Sequence, residues 1–312
     1  MGRYLLGLVD VWIFIRFLNE KIMNLILIAF GDNIENHYQA VYSILTFMKS
    51  ETVEKIIVVT DNPGMYGFIG ERVTVSAVDS KTMDSWKGSR NFFWRIKIKA
   101  IEHAVNLVEG GHVLYVDSDT VLYSELAEIR NGLSAGNTYM HVCESTLHNA
   151  ASRTMRKMWK TLGDNEYCGF KVGPRTEMWN AGVIGIPAHK ASETLRKVLA
   201  LCDRLCETDA PNRLLEQLAF SIVLSSDGCL MASNHCIGHY WGNKAEWNKY
   251  ISQFLVYSKL KNHTILDDVD MVVSQGIPDI PLHIKKNKFS EMLRRIAVKV
   301  DSVCRPRNAG WR

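Results

Sequence analysis

Two carboxylates one residue apart, Asp117 and Asp119, end an uninterrupted apolar run, Val113 to Val116. A run that short, rich in β-branched and aromatic residues, reads as a buried central strand. Two like charges at the end of a buried strand repel each other unless a counter-charge lies between them. A hard divalent cation, Mn²⁺ or Mg²⁺, fits that need, because it takes oxygen ligands and often shares them with phosphates. The competing explanation is an ordinary strand end, where Asp makes Asx turns. Asp117-Ser118-Asp119 therefore needs support from other segments.

Three further segments carry suitable chemistry. Asn180-Ala181-Gly182 follows Trp179; small residues let a backbone approach a bulky ligand, and an Asn amide reaches sugar hydroxyls or phosphates. A plain strand bulge is the alternative there. Glu216-Gln217 stands near the start of a helical pattern, where a solvated face is the alternative. His239 precedes Lys244 by five residues. A neutral imidazole is a good Mn²⁺ ligand and a nearby ammonium neutralises a diphosphate, whereas a packed structural histidine is the alternative. Arg95 and Lys97 lie on the helix expected before Asp117. They either point into solvent or reach back to phosphates and the acidic pair. His235-Cys236-x-x-His239 lacks the second pair of a zinc finger, and zinc is disfavoured.

The elements that must position these groups follow from periodicity. Strands are expected at 24–30, 56–59, 72–78 and 113–116, with helices at 37–48 and 92–108, the latter stopped by Gly110-Gly111. Such alternation implies a mostly parallel sheet wrapped by helices. Ligands of these sheets sit beyond the carboxyl ends of the strands, where Asp32, Asp61 and Asp117 fall. The second half is less regular. Strands are expected at 138–143 and 178–186, helices at 191–206 and 212–224, and an extended segment from 231 into His239.

Bulk properties narrow the class. The chain has 312 residues and a formal charge of +4. From His283 onward nine cations face two carboxylates, net +7, which leaves the rest of the chain at −3. An acidic body argues against nucleic acid, whose binders carry a broad basic footprint. Seven cysteines without framework spacing read as free thiols of a reducing compartment. Tyr4 to Leu18 is apolar but carries Asp10 and Arg16, short for a membrane span and without a signal-peptide cleavage site. Met23 offers an alternative start. The spacing of Phe289, Met292, Leu293, Ile296 and Val300 predicts a basic amphipathic helix over 284–300. Such a helix lies on an anionic membrane surface or packs on the protein.

The order of motifs resembles the nucleotide-sugar-dependent glycosyltransferases of the GT-A fold. Those motifs are Gly-Asp after the first strand, a cationic helix, Asp-x-Asp, Asn-Ala-Gly, an acid–Gln pair and a late His-x-x-Gly. The likeness is to the family-8 retaining enzymes, which include glycogenin and lipopolysaccharide hexosyltransferases, and it spans about Asn24 to Trp247. It implies a GT-A-like α/β fold with a less regular acceptor-side half. Residues 1–22 would then be an N-terminal segment or leader, 23–250 the catalytic domain and 251–312 an extension with the basic tail.

By the same resemblance, Ala29, Gly31 and Asp32 would lie near the uracil and ribose of a UDP-sugar. Asp117, Asp119 and His239 would hold Mn²⁺ or Mg²⁺, with Asp117 and Ser118 beside the donor. Asn180, Ala181 and Gly182 would line the sugar, and Arg95, Lys97 and Lys244 would face its phosphates. Glu216 would lie near the acceptor or donor hydroxyls, and Gln217 on the face of the reacting carbon opposite the departing UDP. The late motif departs from the family, since Lys244 comes one residue early and Glu246-Trp247 replaces Pro-Trp. The acceptor would be a saccharide or glycolipid, and the location cytoplasmic, at the inner face of a membrane if the tail binds lipid. Two alternatives stand: a non-catalytic nucleotide-sugar binder, and a sugar-1-phosphate nucleotidyltransferase. The latter is disfavoured because Gly31-Asp32-Asn33 is not its Gly-rich basic loop.

Overall fold

A computed structural model describes residues 22–284. The expectations for residues 1–21 and for the tail helix beyond 284 lie outside the described residues.

The first half follows the predicted alternation. Strand β1 (Met23–Ala29) leads into helix α1 (Ile34–Met48), then β2 (Val53–Thr60), β3 (Val73–Ala77), α2 (Ser80–Trp86), α3 (Arg95–Val105) and β4 (His112–Val116). Helix α1 begins three residues earlier than periodicity predicts, because the Asn33 side chain accepts from the Glu35 N–H and caps it. Helix α3 is shorter than the expected 92–108, since its last turn closes on Asn106 before the glycine pair.

The second half continues with β5 (Thr120–Leu122), α4 (Ala127–Ser134), β6 (Thr138–Met140), β7 (Cys143–Thr146), α5 (Arg153–Leu162), β8 (Glu166–Tyr167), β9 (Phe170–Lys171), β10 (Glu177–Trp179) and β11 (Val183–Ile186). Helices α6 (Ala191–Cys206) and α7 (Leu215–Asp227), strands β12 (Leu230–Ala232) and β13 (Ile237–His239), and helices α8 (Lys244–Lys261) and α9 (Ile265–Gln275) complete it.

Seven strands form one sheet in the order β12-β6-β11-β4-β1-β2-β3. All neighbouring pairs are parallel except those of β11, which runs antiparallel to both β4 and β6. The fold is thus α/β with a mostly parallel central sheet wrapped by helices. Alternate residues of β1 feed two cores. Leu25 and Leu27 pack with Val58, Leu114 and Val116 on one face, and Ile26 packs with Ile57, Val59 and Tyr115 on the other. Burial on both faces explains why these strands read as continuous apolar runs.

Two expected strands break in two. Residues 138–143 divide into β6 and the start of β7, and 178–186 into β10 and β11. The inner pieces stay in the main sheet, while β7 and β10 pair with each other as a separate ribbon. The breaks fall at His141-Val142 and at Asn180-Ala181-Gly182, joined by the Asn180 N–H to Val142 and the His141 N–H to Asn180. A second ribbon, β5 with β13, sets His239 opposite Thr120.

The boundary expected at residue 250 falls inside α8. Helices α8 and α9 cover α1, with Gln39 donating to Asn248 at 2.6 Å and the Tyr42 and Phe254 rings 5.3 Å apart. No helix among the described residues is long and apolar enough to cross a membrane.

Candidate active site

Asp117 continues β4 by one residue, its N–H donating to the Gly182 carbonyl at 2.8 Å. The chain then turns, and the Tyr240 N–H donates to the Asp119 carbonyl at 3.0 Å. These backbone bonds bring together three segments that are far apart in sequence. Asp117, Asp119 and His239 each offer a ligand atom, all within 4.8 Å of one another. His239 Nε2 stands 3.3 Å from Asp119 Oδ1 and 3.7 Å from Asp117 Oδ2. Two hard carboxylate oxygens and an imidazole nitrogen match Mn²⁺ or Mg²⁺ chemistry. His235 and Cys236 point elsewhere, to Glu128 and the Glu125 carbonyl, so the His-Cys-x-x-His spacing makes no metal group.

Two ammonium groups flank the carboxylates. Lys244 Nζ lies 2.9 Å from Asp119 Oδ2, on a side chain that is still half exposed. Lys97 Nζ is sealed between Asp117 Oδ1 and Glu216 Oε1, each at 3.1 Å, and donates to the Ala181 carbonyl. Burial alone would lower the Lys97 pKa, but Asp117 and Glu216 outweigh it and raise it above the ordinary value. Burial likewise pushes Asp119 up, while His239 and then Lys244 outweigh it and hold the carboxyl well below the usual range. Burial raises Glu216, even against Lys97. The Tyr115 hydroxyl donates to Asp117 and is kept protonated, first by burial and then by that carboxylate.

Three carboxylates against two ammoniums leave one net negative charge when all are ionised. A divalent cation reverses that sign and prepares the pocket for an anion such as a diphosphate.

Behind the metal group, Asn180 Oδ1 receives the Gly182 N–H and faces His239 Nδ1, both at 3.0 Å. Gly182 is glycine for a local reason. A Cβ there would come within 2.2 Å of the His239 ring. The residue thus accommodates an imidazole of this chain, a tighter demand than the ligand approach inferred from its small size.

These groups line one cavity of about 500 Å³. Of the residues singled out in the sequence, Ala29, Lys97, Asp117, Ser118, Asp119, Asn180, Ala181, Gly182, Glu216, Gln217, His239 and Lys244 border it. Three do not. Gly31 donates its N–H to Asp61, and neither Gly31 nor Asp32 lines the cavity. Arg95 turns to the opposite side of α3, where its guanidinium grips Asp203 at 2.6 and 3.0 Å and the Trp86 carbonyl. On a helix, residues two apart face different directions, so Arg95 and Lys97 cannot share one target.

Phe93, Trp94, Arg213 and Trp241 also line the cavity, and Glu144 braces Asn180 and Gln217, none of them marked by sequence pattern. Arg213 lies three residues before Glu216, and Trp241 two after His239. Glu144 follows an expected strand and carries no sequence signal.

No family model matches the sequence, and no curated protein matches it. Among solved structures the chain is similar to the glycosyltransferase GlyE of Streptococcus pneumoniae TIGR4. The identity is 12% and the TM-score 0.48, over 81% of this chain and 63% of that one. The chain therefore spans less than two thirds of that structure's length, and at such identity a shared activity does not follow.

Proposed function

We propose that the chain is a metal-dependent glycosyltransferase of GT-A type that moves a hexose from a UDP-sugar to a saccharide or glycolipid, with retention of configuration. The observation that carries this is the convergence of Asp117, Asp119 and His239 at the carboxyl end of β4, in one cavity with Lys244. The motif order shared with the family-8 enzymes supports the UDP-sugar donor.

Mn²⁺ or Mg²⁺ held by Asp117, Asp119 and His239 would stabilise negative charge on the departing diphosphate. Lys244, half exposed and paired with Asp119, would reach the same phosphates. Lys97 is committed to Asp117 and Glu216, so its part is to hold those carboxylates in place. Glu216 is tied up by Lys97 and makes a poor nucleophile. The Gln217 amide, which lines the cavity and by the family resemblance would face the reacting carbon, is weakly nucleophilic. Both facts favour front-face transfer, with the leaving phosphate taking the acceptor proton. The tail from His283 onward, net +7, would hold the enzyme at an anionic membrane bearing a lipid-linked acceptor.

UDP release from a panel of UDP-sugars, with and without Mn²⁺, tests the reading. Mn²⁺-dependent release from at least one donor is expected. Thermal protection by UDP and Mn²⁺ without any release would identify a binder instead.

A further inference from the structure

Between the metal group and α8 the chain makes one tight turn, closed by the Asn243 N–H on the Tyr240 carbonyl at 2.9 Å. One side of this turn is tied to the site. The Tyr240 N–H donates to the Asp119 carbonyl, and Lys244, the first residue of α8, pairs with the Asp119 carboxylate. The other side meets a segment far along the chain, Pro281 to His283.

That segment is anchored by Ile280 and Leu282, which pack on the core. The Pro281 carbonyl accepts from Asn243 Nδ2 at 2.8 Å and from Trp247 Nε1 at 3.4 Å. Gly242 and His283 are joined by a parallel β-bridge, and the His283 ring lies against Trp241, centroids 4.9 Å apart. Gly242 has no room for a side chain, since a Cβ there would lie 2.3 Å from His283 Nδ1. His283 itself does not line the cavity, whereas Trp241 and Lys244, on either side of Gly242, do.

We propose that His283 is a positioning residue for the donor diphosphate, which clasps Gly242 and thereby sets Trp241 and Lys244 at the mouth of the cavity. The inference rests on the metal-dependent transferase reading of the site. Glycine has the widest backbone freedom of any residue, so an uncovered Gly242 lets the turn wander. Ordering it again on a diphosphate costs free energy that the clasped turn has already met. The metal group is held separately, by the β5–β13 ribbon and by Asn180, and does not depend on the clasp.

Hydrogen exchange of the full-length, metal-free protein, followed by mass spectrometry, reads the turn without reference to activity. Peptides covering residues 240–247 should exchange about 10-fold faster in His283→Ala than in wild type. Calorimetry supplies the second readout. Mn²⁺ alone should bind His283→Ala within about two-fold of wild type, while UDP with saturating Mn²⁺ should bind about 10-fold more weakly. In transfer assays KM for the UDP-sugar should rise about 10-fold, with kcat changed less than about three-fold. His283→Phe keeps a ring against Trp241 and should recover most of the lost UDP affinity, which also guards against a folding defect in the alanine variant.

Unchanged exchange in His283→Ala overturns the clasp. Faster exchange with wild-type UDP affinity does so too, because the ring would then serve the fold alone. Equal losses of Mn²⁺ and UDP affinity overturn it by placing the effect on the metal group, as does a phenylalanine variant no better than alanine. A wild type that binds neither Mn²⁺ nor UDP removes the transferase reading, and the proposal with it. A wild type that binds both, with a variant that matches it, overturns the proposal alone.

Discussion

The two halves of the sheet solve different problems. On the side of β3, β2, β1 and β4 every strand is parallel, and the residues alternate cleanly between two cores. On the side of β11, β6 and β12 the strands are short and one is reversed. Their continuations leave for the small β7–β10 ribbon. The regular half delivers a strand end with two carboxylates. The irregular half supplies most of what surrounds them, because a break in a strand frees backbone and side chains to aim at one point. Directional chemistry thus concentrates in the broken half.

The most severe way to probe that division is at the strand end itself. Asp119→Ala removes a metal ligand and unpairs Lys244. Turnover of the UDP-sugar should fall on the order of 10³-fold, a barrier increase of about 4 kcal/mol, while the circular dichroism spectrum stays native. A folded variant with near wild-type turnover would remove the metal assignment.

Gly182→Ala strikes the break in the other half. The added methyl meets the His239 ring, which must move off Asn180. Mn²⁺ affinity should drop by about 10–100-fold, and overpacking should cost about 1–3 kcal/mol of stability. Titration of the purified variant with Mn²⁺ decides; unchanged affinity would mean the ring is not held as described.

His141, buried at the break between β6 and β7, sharpens the comparison through pH. Burial first, then His239, pushes its imidazole from the ordinary 6.5 down to about 4. The folded pKa is depressed, so the unfolded chain binds the proton more readily. The stability contribution is therefore complete above about pH 6.5 and is lost as pH falls toward 4, by about 3 kcal/mol in all. Melting temperatures of wild type and His141→Gln between pH 7 and 4.5 measure it. The wild type should fall more steeply, and parallel curves would refute the assignment.

The mildest expected effect is at Arg95, two residues from Lys97 but aimed at Asp203 on α6. Arg95→Ala should cost about 1 kcal/mol, the scale of a partly exposed ion pair, and about 2–4 °C in melting temperature. Its kinetic constants should stay within about two-fold of wild type. A large rise in KM for the donor would bring Arg95 back to the phosphates.

The sequence by itself determined the parallel β/α half, because strands buried on both faces must be apolar throughout and helices packed on them must be periodic. It also determined the position of the acidic pair, since carboxylates are excluded from such a strand and accumulate at its end. His239, Glu216 and Gln217 were recognisable as residue types. Periodicity carries local information only, however. It could not show that 138–143 and 178–186 break, because Tyr139, Met140, Val142 and Cys143 read through the first break, Met178-Trp179 and Val183-Ile184 stand on either side of the second, and the switch of partners is a long-range pairing. It could not separate Lys97 from Arg95, which look alike on one helix until Asp203 of α6 meets one and Glu216 of α7 the other. Glu144 was invisible, since an exposed acid on a short strand means nothing until Asn180 and Gln217 are folded against it. Tertiary structure alone decided which atoms face one another, and hydrogen bonds and charges act over a few ångströms between residues that are dozens of positions apart.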